Sequence, residues 1–414
     1  MPASREFQVM VKPGGAVCNL DCRYCYYLAK DALYDAAGPR RMPDDLLEAY
    51  IVQHLDAAPT PLIAFAWHGG EPTLLGLDYF RRIVALQRAH QPEGRRIVNG
   101  VQTNGTRLDE AWARFFAAEG FYVGLSLDGP APCHDAYRRT KGDRPSHRDV
   151  VRALRLLQRH GVPCDVLCVV HAANVGDPLG VYRFFKDAGV TSLQFLPLVE
   201  RAGAGPSERT AAAEAVGDFL CAIFDEWLRH DLTRSTVQVF DEALRTTCGV
   251  AHALCIFRET CGDVPVVEHT GDFYCCDHYV DESHRLGDIR RTPLATLLDS
   301  PAQRAFGDAK RDTLPASCRR CEVLAYCNGG CPKDRFLVSP DGEPGLNYLC
   351  AGFQRFFVHA RPHLERLAAV PRTRARLEEF MVSLRGPVRI AAGRNERCPC
   401  GSGLKYKRCC LGRH

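Results

Sequence analysis

The chain has 414 residues, of which 46% are hydrophobic and 25% are charged, and its formal net charge at pH 7 is +4. This composition is that of a globular protein with room for two or three domains. The small net charge gives no reason to expect a nucleic-acid partner, and the apolar runs are all shorter than 18 residues, so the sequence predicts no transmembrane helix and no membrane partner.

The 21 cysteines indicate metal binding rather than disulfide bonding. The first residues, Met-Pro-Ala-Ser-Arg-Glu-Phe, lack the apolar segment of a secretory signal, which predicts a cytoplasmic protein. Thiols stay reduced in the cytoplasm, so dense groups of cysteines in such a chain point to metals. Most of the cysteines fall into three groups, at residues 18–25, 255–350 and 398–410.

Apolar strands alternate with amphipathic helices over the first 235 residues. A short strand at residues 7–11 leads into the first cysteine group, and a helix begins after Pro43. Further strands are predicted at 62–67, 96–105, 122–129, 164–170 and 192–199, and further helices at 78–90, 109–119, 149–160, 178–188 and 211–230. Six such β–α units predict an α/β fold, a partial (β/α)6 barrel of parallel strands.

Motifs whose residues could bind a ligand or take part in catalysis follow several of these strands. Gly69-Gly70-Glu71-Pro72 ends one strand, and Ser126-Leu127-Asp128-Gly129 ends another. In barrels of this kind, chemistry collects at the carboxyl ends of the strands. A glycine pair lets backbone amides approach a ligand closely, although Gly-Gly-Glu-Pro by itself could also be a plain turn.

The first cysteine group holds Cys18, Cys22 and Cys25 at C-x3-C-x2-C spacing in one short loop. Three thiolates leave one coordination position open, and an open position distinguishes a catalytic metal site from a structural one. The tyrosines between and after the cysteines would shield a cluster and stack on a ligand. The alternative is a small zinc knuckle that takes its fourth ligand from a distant part of the chain.

This loop resembles the cluster loop of the radical S-adenosylmethionine enzymes, C-x3-C-x-aromatic-C. The resemblance implies a [4Fe–4S] cluster whose open iron binds the amino and carboxylate groups of S-adenosylmethionine. It also implies reductive cleavage of that molecule to methionine and a 5′-deoxyadenosyl radical. Gly69, Gly70 and Glu71 match the family segment that holds the amino group of the methionine moiety.

Four more residues match cofactor-binding positions of that family. Ser126 matches a position near the ribose and methionine groups, and Arg138 matches an arginine that reaches the carboxylate, for which a guanidinium fork is suited. Tyr24 and Val199 match positions that line the adenosine. His134, in contrast, is interpreted as a loop histidine with a structural role.

The second cysteine group resembles the SPASM extension of radical enzymes that modify peptides. The resemblance implies two auxiliary [4Fe–4S] clusters, which would raise the total to three. The first auxiliary set comprises Cys255, Cys261, Cys276 and Cys331, and the second auxiliary set comprises Cys318, Cys321, Cys327 and Cys350. Four thiolates saturate a cluster and suit it to electron transfer, whereas zinc, the alternative, would stabilise the fold without carrying electrons.

Asp277 is predicted to be a catalytic base because it directly follows a presumed ligand, Cys276. Cys275 could replace Cys276 as that ligand, but the family pattern has cysteine followed immediately by aspartate. Cys-Asp at this place resembles the anaerobic sulfatase-maturating enzymes, and that resemblance extends over residues 5–360. One departure is Trp67-His68, where family members often have Phe-Gln.

The resemblance implies oxidation of a Cys or Ser side chain in a sulfatase polypeptide to formylglycine, with a ferredoxin or flavodoxin as electron donor. The deoxyadenosyl radical would remove a Cβ hydrogen, Asp277 would take the thiol or hydroxyl proton, and the auxiliary clusters would remove an electron. A SPASM maturase that crosslinks a ribosomal peptide is the nearest alternative. A metal-binding adaptor without catalysis is another, but it would not need Gly-Gly-Glu-Pro.

The last cysteine group predicts a small zinc module. Its C-x-C-x8-C-C spacing supplies four thiolates where few apolar residues are present, so metal binding would supply the folding energy. It resembles the SEC-C motif, and its ligands would be Cys398, Cys400, Cys409 and Cys410. The predicted domains are therefore a barrel at 1–235, a SPASM domain at 236–370, a linker at 371–393 and the zinc module at 394–414.

Overall fold

The structure is a computed structural model, and it describes residues 2–35, 38, 40–203, 205–371, 373–384 and 405. Among these residues, no helix combines the length and the apolar character that crossing a membrane requires. The four cysteines of the predicted zinc module lie outside the described residues, and the zinc ion therefore stays a prediction.

The strands fall into a main sheet and two small hairpins. In chain order they are β1 (Met10–Lys12), β2 (Leu62–Trp67), β3 (Arg96–Thr103), β4 (Tyr122–Ser126), β5 (Cys164–Val170), β6 (Ser192–Pro197), β7 (Arg201–Ala202), β8 (Gly205–Pro206), β9 (Thr236–Val237), β10 (Val266–Glu268), β11 (Asp272–Tyr274), β12 (Arg285–Asp288), β13 (Leu337–Val338) and β14 (Pro344–Leu346). The hairpins are β7–β8 and β13–β14, and the other ten strands form the main sheet.

The helices cover the main sheet and build the C-terminal half. They are α1 (Asp44–Ala57), α2 (Leu77–His90), α3 (Glu110–Glu119), α4 (Ala131–Tyr137), α5 (His147–Arg159), α6 (Pro178–Asp187), α7 (Ala213–His230), α8 (Gln238–Thr247), α9 (Leu294–Leu298), α10 (Pro301–Asp312), α11 (Ala316–Arg319), α12 (Leu324–Cys327), α13 (Cys350–Ala368) and α14 (Arg374–Leu384). Short 3₁₀ turns lie at Leu28–Leu33, Pro72–Leu75, Glu282–His284 and Pro332–Asp334.

Strands β1 to β6 lie side by side in sequence order and are all parallel, which confirms the predicted partial barrel. Local signals place the helices between them. The Asp109 side chain accepts hydrogen bonds from two amides in the first turn of α3, and Gly120 ends that helix at a φ of 65°. The first strand begins at Met10 rather than at residue 7, and ahead of it the Gln8 amide donates a hydrogen bond to the Asp263 carbonyl.

The main sheet crosses the predicted domain boundary at residue 235. Strand β9 pairs with β6 at one edge, while β10 pairs parallel to β1 at the other edge and continues into the antiparallel strands β11 and β12. Strand β11 runs back beside β10, and the segment that follows it places the Asp277 carboxylate against the side chain of Lys12, the last residue of β1. The sheet therefore brings the second cysteine group next to the barrel.

The hydrophobic core also joins the two halves of the chain. Phe195 of β6 and Phe219 of α7 belong to the same core as Phe353 and Phe356 of α13. A second core packs β1 to β3 against α1, α2 and α9. Because α7 and α13 share buried aromatic residues, the position of Cys350, the first residue of α13, depends on the barrel.

Helices α7 and α13 approach most closely at two glycines. A Cβ on Gly352 would lie 2.1 Å from the Ala213 carbonyl oxygen, and one on Gly217 would lie 2.8 Å from the Gly352 carbonyl oxygen. We expect Gly352→Ala to lower the free energy of unfolding by about 1–3 kcal/mol, because the helices must separate. Thermal denaturation followed by circular dichroism would measure this, with Gly176→Ala as the control, since a Cβ there meets nothing within 4 Å. An unchanged midpoint for Gly352→Ala would contradict the packing.

Candidate active site

The cysteine loop after β1 is held against the Gly-Gly-Glu-Pro segment by main-chain hydrogen bonds. The amide of Gly70 donates to the Gly15 carbonyl and that of Glu71 to the Val17 carbonyl, both at 2.9 Å. A Cβ on Gly70 would lie 2.3 Å from the Val17 oxygen. The glycine is therefore required by the close approach of the cysteine loop, and these two amides are already used there rather than left for a ligand.

The Glu71 carboxylate ties the ends of β2 and β3 together. Its Oε1 accepts hydrogen bonds from the amide and the hydroxyl of Thr73 and from the Thr103 hydroxyl, while its Oε2 accepts from the Asn104 amide at 2.7 Å. A carboxylate offers about four acceptor positions in all, two on each oxygen, so only Oε2 has one left for a ligand. Glu71 is thus a positioning residue, and its predicted contact with the methionine amino group stays a prediction.

The three cysteines of the front loop lie close enough to influence one another. Burial, with a smaller contribution from the neighbouring Cys25 thiolate, raises the pKa of Cys18 to about 11 and that of Cys22 to about 12. The Leu20 amide donates to the Cys18 sulfur at 3.4 Å. Partly buried thiols that repel one another as thiolates have a clear need for a cation, and iron fits that need.

Next to this loop, Asp128 organises a buried polar cluster. Its Oδ2 accepts hydrogen bonds from the Arg138 guanidinium at 2.9 Å and from the Tyr24 hydroxyl, and its Oδ1 accepts from the Val169 amide at 3.0 Å. The Arg138 guanidinium also lies over the Tyr24 ring, 5.4 Å from its centroid. Only Nε of Arg138 is engaged by the described residues, so its two terminal nitrogens can bind a carboxylate.

The other predicted barrel residues lie at the same ends of the strands. Ser126 ends β4 and accepts a hydrogen bond from Gln102 at 3.0 Å, and Val199 follows β6. His134 is fully buried; it accepts from the Asp128 amide at 3.2 Å and lies 3.0 Å from the Ser146 hydroxyl. Its structural role is confirmed, although it lies in helix α4 rather than in a loop.

Asp277 lies at the carboxyl end of β1, where Lys12 forms an ion pair with it. The Tyr26 hydroxyl donates to its second oxygen, and the Lys12 ammonium lies 2.9 Å from Nδ1 of His68. Burial by itself would raise the pKa of Asp277, but the Lys12 ammonium and the neighbouring His68 and His278 together outweigh burial and hold the pKa below its usual range. Asp277 is therefore ionised at neutral pH, the state that a base requires.

His68, the departure from the family pattern, faces this ion pair. Burial and the neighbouring Lys12 charge lower the pKa of His68 to about 3, so the imidazole is neutral. Its Nδ1 accepts from the Gly69 amide at 2.9 Å, which fixes the proton on Nε2. His68 thus supports the cation that holds Asp277.

The thiols of the first auxiliary set interact electrostatically in pairs, and their joint role as ligands of one cluster stays a prediction. The Cys276 thiol interacts electrostatically with those of Cys255 and Cys331, and Cys261 interacts with the same two. The neighbouring Cys275 is 3% exposed and interacts with Asp281 instead. This arrangement supports Cys276 over Cys275 as the ligand, and a group of four thiols suits an iron–sulfur cluster.

The thiols of the second auxiliary set show the same pairwise interactions, and their ligand role likewise stays a prediction. The Cys327 thiol interacts electrostatically with those of Cys318, Cys321 and Cys350. The Cys350 thiol also interacts with those of Cys318 and Cys321. None of these cysteines forms a disulfide. The donor atoms are thiols only, as in a cluster with four cysteine ligands.

The sequence did not predict the charged residues in the buried network around Asp277. Lys12 is fully buried, and its ammonium lies 4.4 Å from the centroid of the Tyr27 ring. The Tyr27 hydroxyl in turn donates to Glu268 of β10. One signal was present: Lys12 follows directly on the apolar run Val9-Met10-Val11, and a charge at the end of a buried strand needs a partner.

Known sequence families match three parts of the chain. The Radical SAM superfamily pattern matches residues 13–185, that of SPASM, an iron–sulfur cluster-binding domain, matches residues 260–322, and the SEC-C motif matches residues 394–412. The first match contains the front cysteine loop and the Asp128 cluster. The second contains Asp277 and four of the auxiliary cysteines.

Whole proteins match over most of the chain. A serine-type anaerobic sulfatase-maturating enzyme of Bacteroides thetaiotaomicron is 40% identical over 380 residues, which cover 88% of this chain and 92% of that enzyme. A cysteine-type anaerobic sulfatase-maturating enzyme of Clostridium perfringens is 32% identical over 366 residues, which cover 87% of this chain and 98% of that enzyme.

A solved structure, native anSMEcpe with bound AdoMet and Cp18Cys peptide, has the same fold. It superposes with a TM-score of 0.79 and is 32% identical, and the match covers 88% of this chain and 99% of that chain. Sequence identity, coverage and fold agree across these comparisons. The chain therefore belongs to the anaerobic sulfatase-maturating family of radical S-adenosylmethionine enzymes.

Proposed function

We propose that this chain oxidises a Cys or Ser side chain in a sulfatase polypeptide to the aldehyde of formylglycine. The observation that carries the proposal is the position of Asp277. Its carboxylate accepts a hydrogen bond from Tyr26 of the front cysteine loop. In the sequence, Asp277 directly follows Cys276 of the first auxiliary set. A base in this position can take a proton from a substrate side chain that lies between the two metal-binding regions. The front region would remove a hydrogen atom from that side chain, and the auxiliary region would accept an electron from it.

The front loop and the Asp128 cluster would hold S-adenosylmethionine. With an iron–sulfur cluster bound by the front cysteines, the cluster and S-adenosylmethionine would together supply a radical that abstracts hydrogen. Arg138 would bind the carboxylate of the methionine moiety through its two free nitrogens, and Asp128 would keep the guanidinium plane in place. Tyr24, Ser126 and Val199 would surround the rest of the molecule.

Asp277 would accept the proton of the substrate thiol or hydroxyl after one hydrogen atom has left the Cβ carbon. Loss of that hydrogen, of the proton and of one electron together makes a two-electron oxidation. A serine then yields the aldehyde directly. A cysteine yields a thioaldehyde, which water converts to the same aldehyde with release of hydrogen sulfide.

The two auxiliary sets would accept the remaining electron through clusters saturated by four cysteines each. We propose that a ferredoxin or flavodoxin supplies the electron that the front site consumes. The relatives include both serine-type and cysteine-type enzymes, so the assay uses peptides of both kinds.

An assay with synthetic peptides tests the function. The anaerobically reconstituted protein would be incubated with S-adenosylmethionine, reductant and a sulfatase-motif peptide containing Cys or Ser, and the peptide would be followed by mass spectrometry. We expect the mass change of thiol-to-aldehyde or alcohol-to-aldehyde conversion. Release of 5′-deoxyadenosine with both peptides unchanged would overturn the proposal and favour another peptide modification.

Arg138→Lys is expected to weaken the binding of S-adenosylmethionine by roughly ten- to a hundredfold, since hydrogen bonds to a charged group contribute about 1.5–3 kcal/mol. An ammonium is a point charge and cannot contact both Asp128 and a ligand carboxylate in the manner of a planar fork. Equilibrium dialysis of the reconstituted protein would measure the dissociation constant. The control is Arg139→Lys, which affects a neighbouring arginine paired with Asp143. Equal affinities in the two variants would contradict the assignment of Arg138.

A further inference from the structure

Two basic side chains lie between the auxiliary cysteine sets, and neither has an acidic partner in the part of the chain that the structure describes. The first is Lys310 near the end of α10, whose residue surface is 1% exposed. Its ammonium donates to the carbonyl oxygen of Cys255, a proposed cluster ligand, at 2.7 Å and to that of Ile256 at 2.9 Å. The charge is therefore held at the backbone of the first auxiliary set.

The second is Arg335, whose guanidinium donates to main-chain carbonyl oxygens. Its Nε bonds to Gly329 at 2.9 Å, and its Nη2 bonds to Asn328 at 2.9 Å. Its Nη1 donates to the carbonyl of Lys310 at 2.6 Å, so the two cationic residues are direct neighbours. A guanidinium cannot lose its proton in a protein, and its charge is fixed.

The carbonyls that Arg335 binds belong to the segment that connects the two sets. Residues 328–330 join Cys327 of the second set to Cys331 of the first. All three have left-handed backbone, with φ of 44° at Asn328, 71° at Gly329 and 61° at Gly330. This tight connector directs its carbonyls at one guanidinium, which places the Arg335 charge between the two proposed clusters.

Within the described residues, neither cation forms an ion pair with a carboxylate. The acidic neighbours in sequence are engaged elsewhere, Asp334 by Lys333 and Asp312 by Arg311. The groups that could compensate the two cations are cysteines, which become thiolates when they bind a cluster: Cys255, Cys261 and Cys331 for Lys310, and Cys261, Cys318, Cys327 and Cys331 for Arg335. Two adjacent, largely buried cations are costly unless an anion compensates them.

We propose that Lys310 and Arg335 are the counter-charges of the two auxiliary clusters and that they make both clusters easier to reduce. This inference rests on the proposed function, because it takes the two cysteine sets as cluster ligands. A cluster bound by four thiolates gains one further negative charge when it accepts an electron, and a fixed cation nearby favours that form. The charge of Arg335 acts on both sets at once and so assists the passage of the substrate electron between them.

Reduction potentials test the inference without any turnover. The full chain would carry Cys18→Ala, Cys22→Ala and Cys25→Ala, so that only auxiliary clusters contribute to a potentiometric titration followed by electron paramagnetic resonance. In this parent, Arg335→Gln and Lys310→Gln are expected to move the midpoint potentials to more negative values. We expect at least a tenfold change in the one-electron equilibrium, which corresponds to about 59 mV. Arg335→Lys, which keeps the charge, should retain most of the parent potential.

Arg258→Gln is the matched control, because that arginine also lies near Cys255 but pairs with Asp263 at 2.7 Å. Its potentials should stay close to those of the parent. Unchanged potentials in both Arg335→Gln and Lys310→Gln, at the iron content of the parent, would overturn the inference. Cluster loss in Arg335→Gln that Arg335→Lys restores would support a role for the charge, while loss in both would assign Arg335 to folding of the connector and overturn it. A parent that binds no auxiliary cluster would instead refute the proposed function.

Discussion

Cys18→Ala is expected to abolish the formation of 5′-deoxyadenosine and of formylglycine together. Two thiolates cannot hold the front cluster in the geometry that three provide, and the auxiliary sets have no open position with which to replace it. Iron per chain should fall by about a third, because two of three proposed clusters remain. Liquid chromatography would measure 5′-deoxyadenosine, and a colorimetric assay would measure iron.

Cys221→Ala serves as the control for that experiment. Cys221 lies in helix α7, packs against the core and belongs to none of the three cysteine sets. It should keep the full iron content and the full rate. If Cys18→Ala cleaved S-adenosylmethionine at the rate of the control, the front loop could not be the catalytic cluster site.

Asp277→Asn is expected to lower formylglycine formation by about 10²- to 10⁴-fold, the contribution of a positioned general base. Cleavage of S-adenosylmethionine should continue, because the front cysteines and Arg138 are untouched. The ratio of formylglycine to 5′-deoxyadenosine is therefore the informative quantity. A ratio equal to that of the unmodified chain would rule out Asp277 as the base.

This substitution also leaves the Lys12 ammonium buried without its partner, which destabilises a protein by about 3–5 kcal/mol when one member of a buried pair is removed. The double variant Lys12→Met/Asp277→Asn removes both charges and should recover much of that stability, yet still fail to make formylglycine. Asp281→Asn, which affects a more exposed aspartate four residues further on, is the matched control for activity.

The barrel could be predicted from the sequence because its signals are local. Strands such as β2 and β5 are mostly apolar runs in which alternate residues are buried, and helices such as α3 carry their own capping residues. The extension of the sheet could not be predicted in this way. The pairing of β10 with β1 joins three-residue strands that are about 250 residues apart in the chain, and no local pattern encodes such a contact.

In the candidate site too, some residues could be predicted from local sequence patterns and others could not. Cysteine spacing and short motifs were enough to predict the ligands, Arg138 and Asp277, because those residues carry chemistry that a sequence pattern can indicate. The network beneath them escaped prediction, since the roles of Lys12, Glu268 and Arg335 depend on which neighbours the fold supplies. Glu71 is intermediate: its motif was recognised, but only the structure reveals that its carboxylate mainly joins two strand ends.

A substrate peptide with deuterium on the Cβ carbon of its reactive Cys or Ser tests the central claim most directly. Mass spectrometry would follow the deuterium content of 5′-deoxyadenosine together with conversion of the peptide. The account predicts that deuterium appears in 5′-deoxyadenosine and that formylglycine accumulates in step with it. Unlabelled 5′-deoxyadenosine, formed while formylglycine accumulates or while the peptide stays unchanged, would contradict the claim that this chain oxidises a side chain by abstracting its Cβ hydrogen.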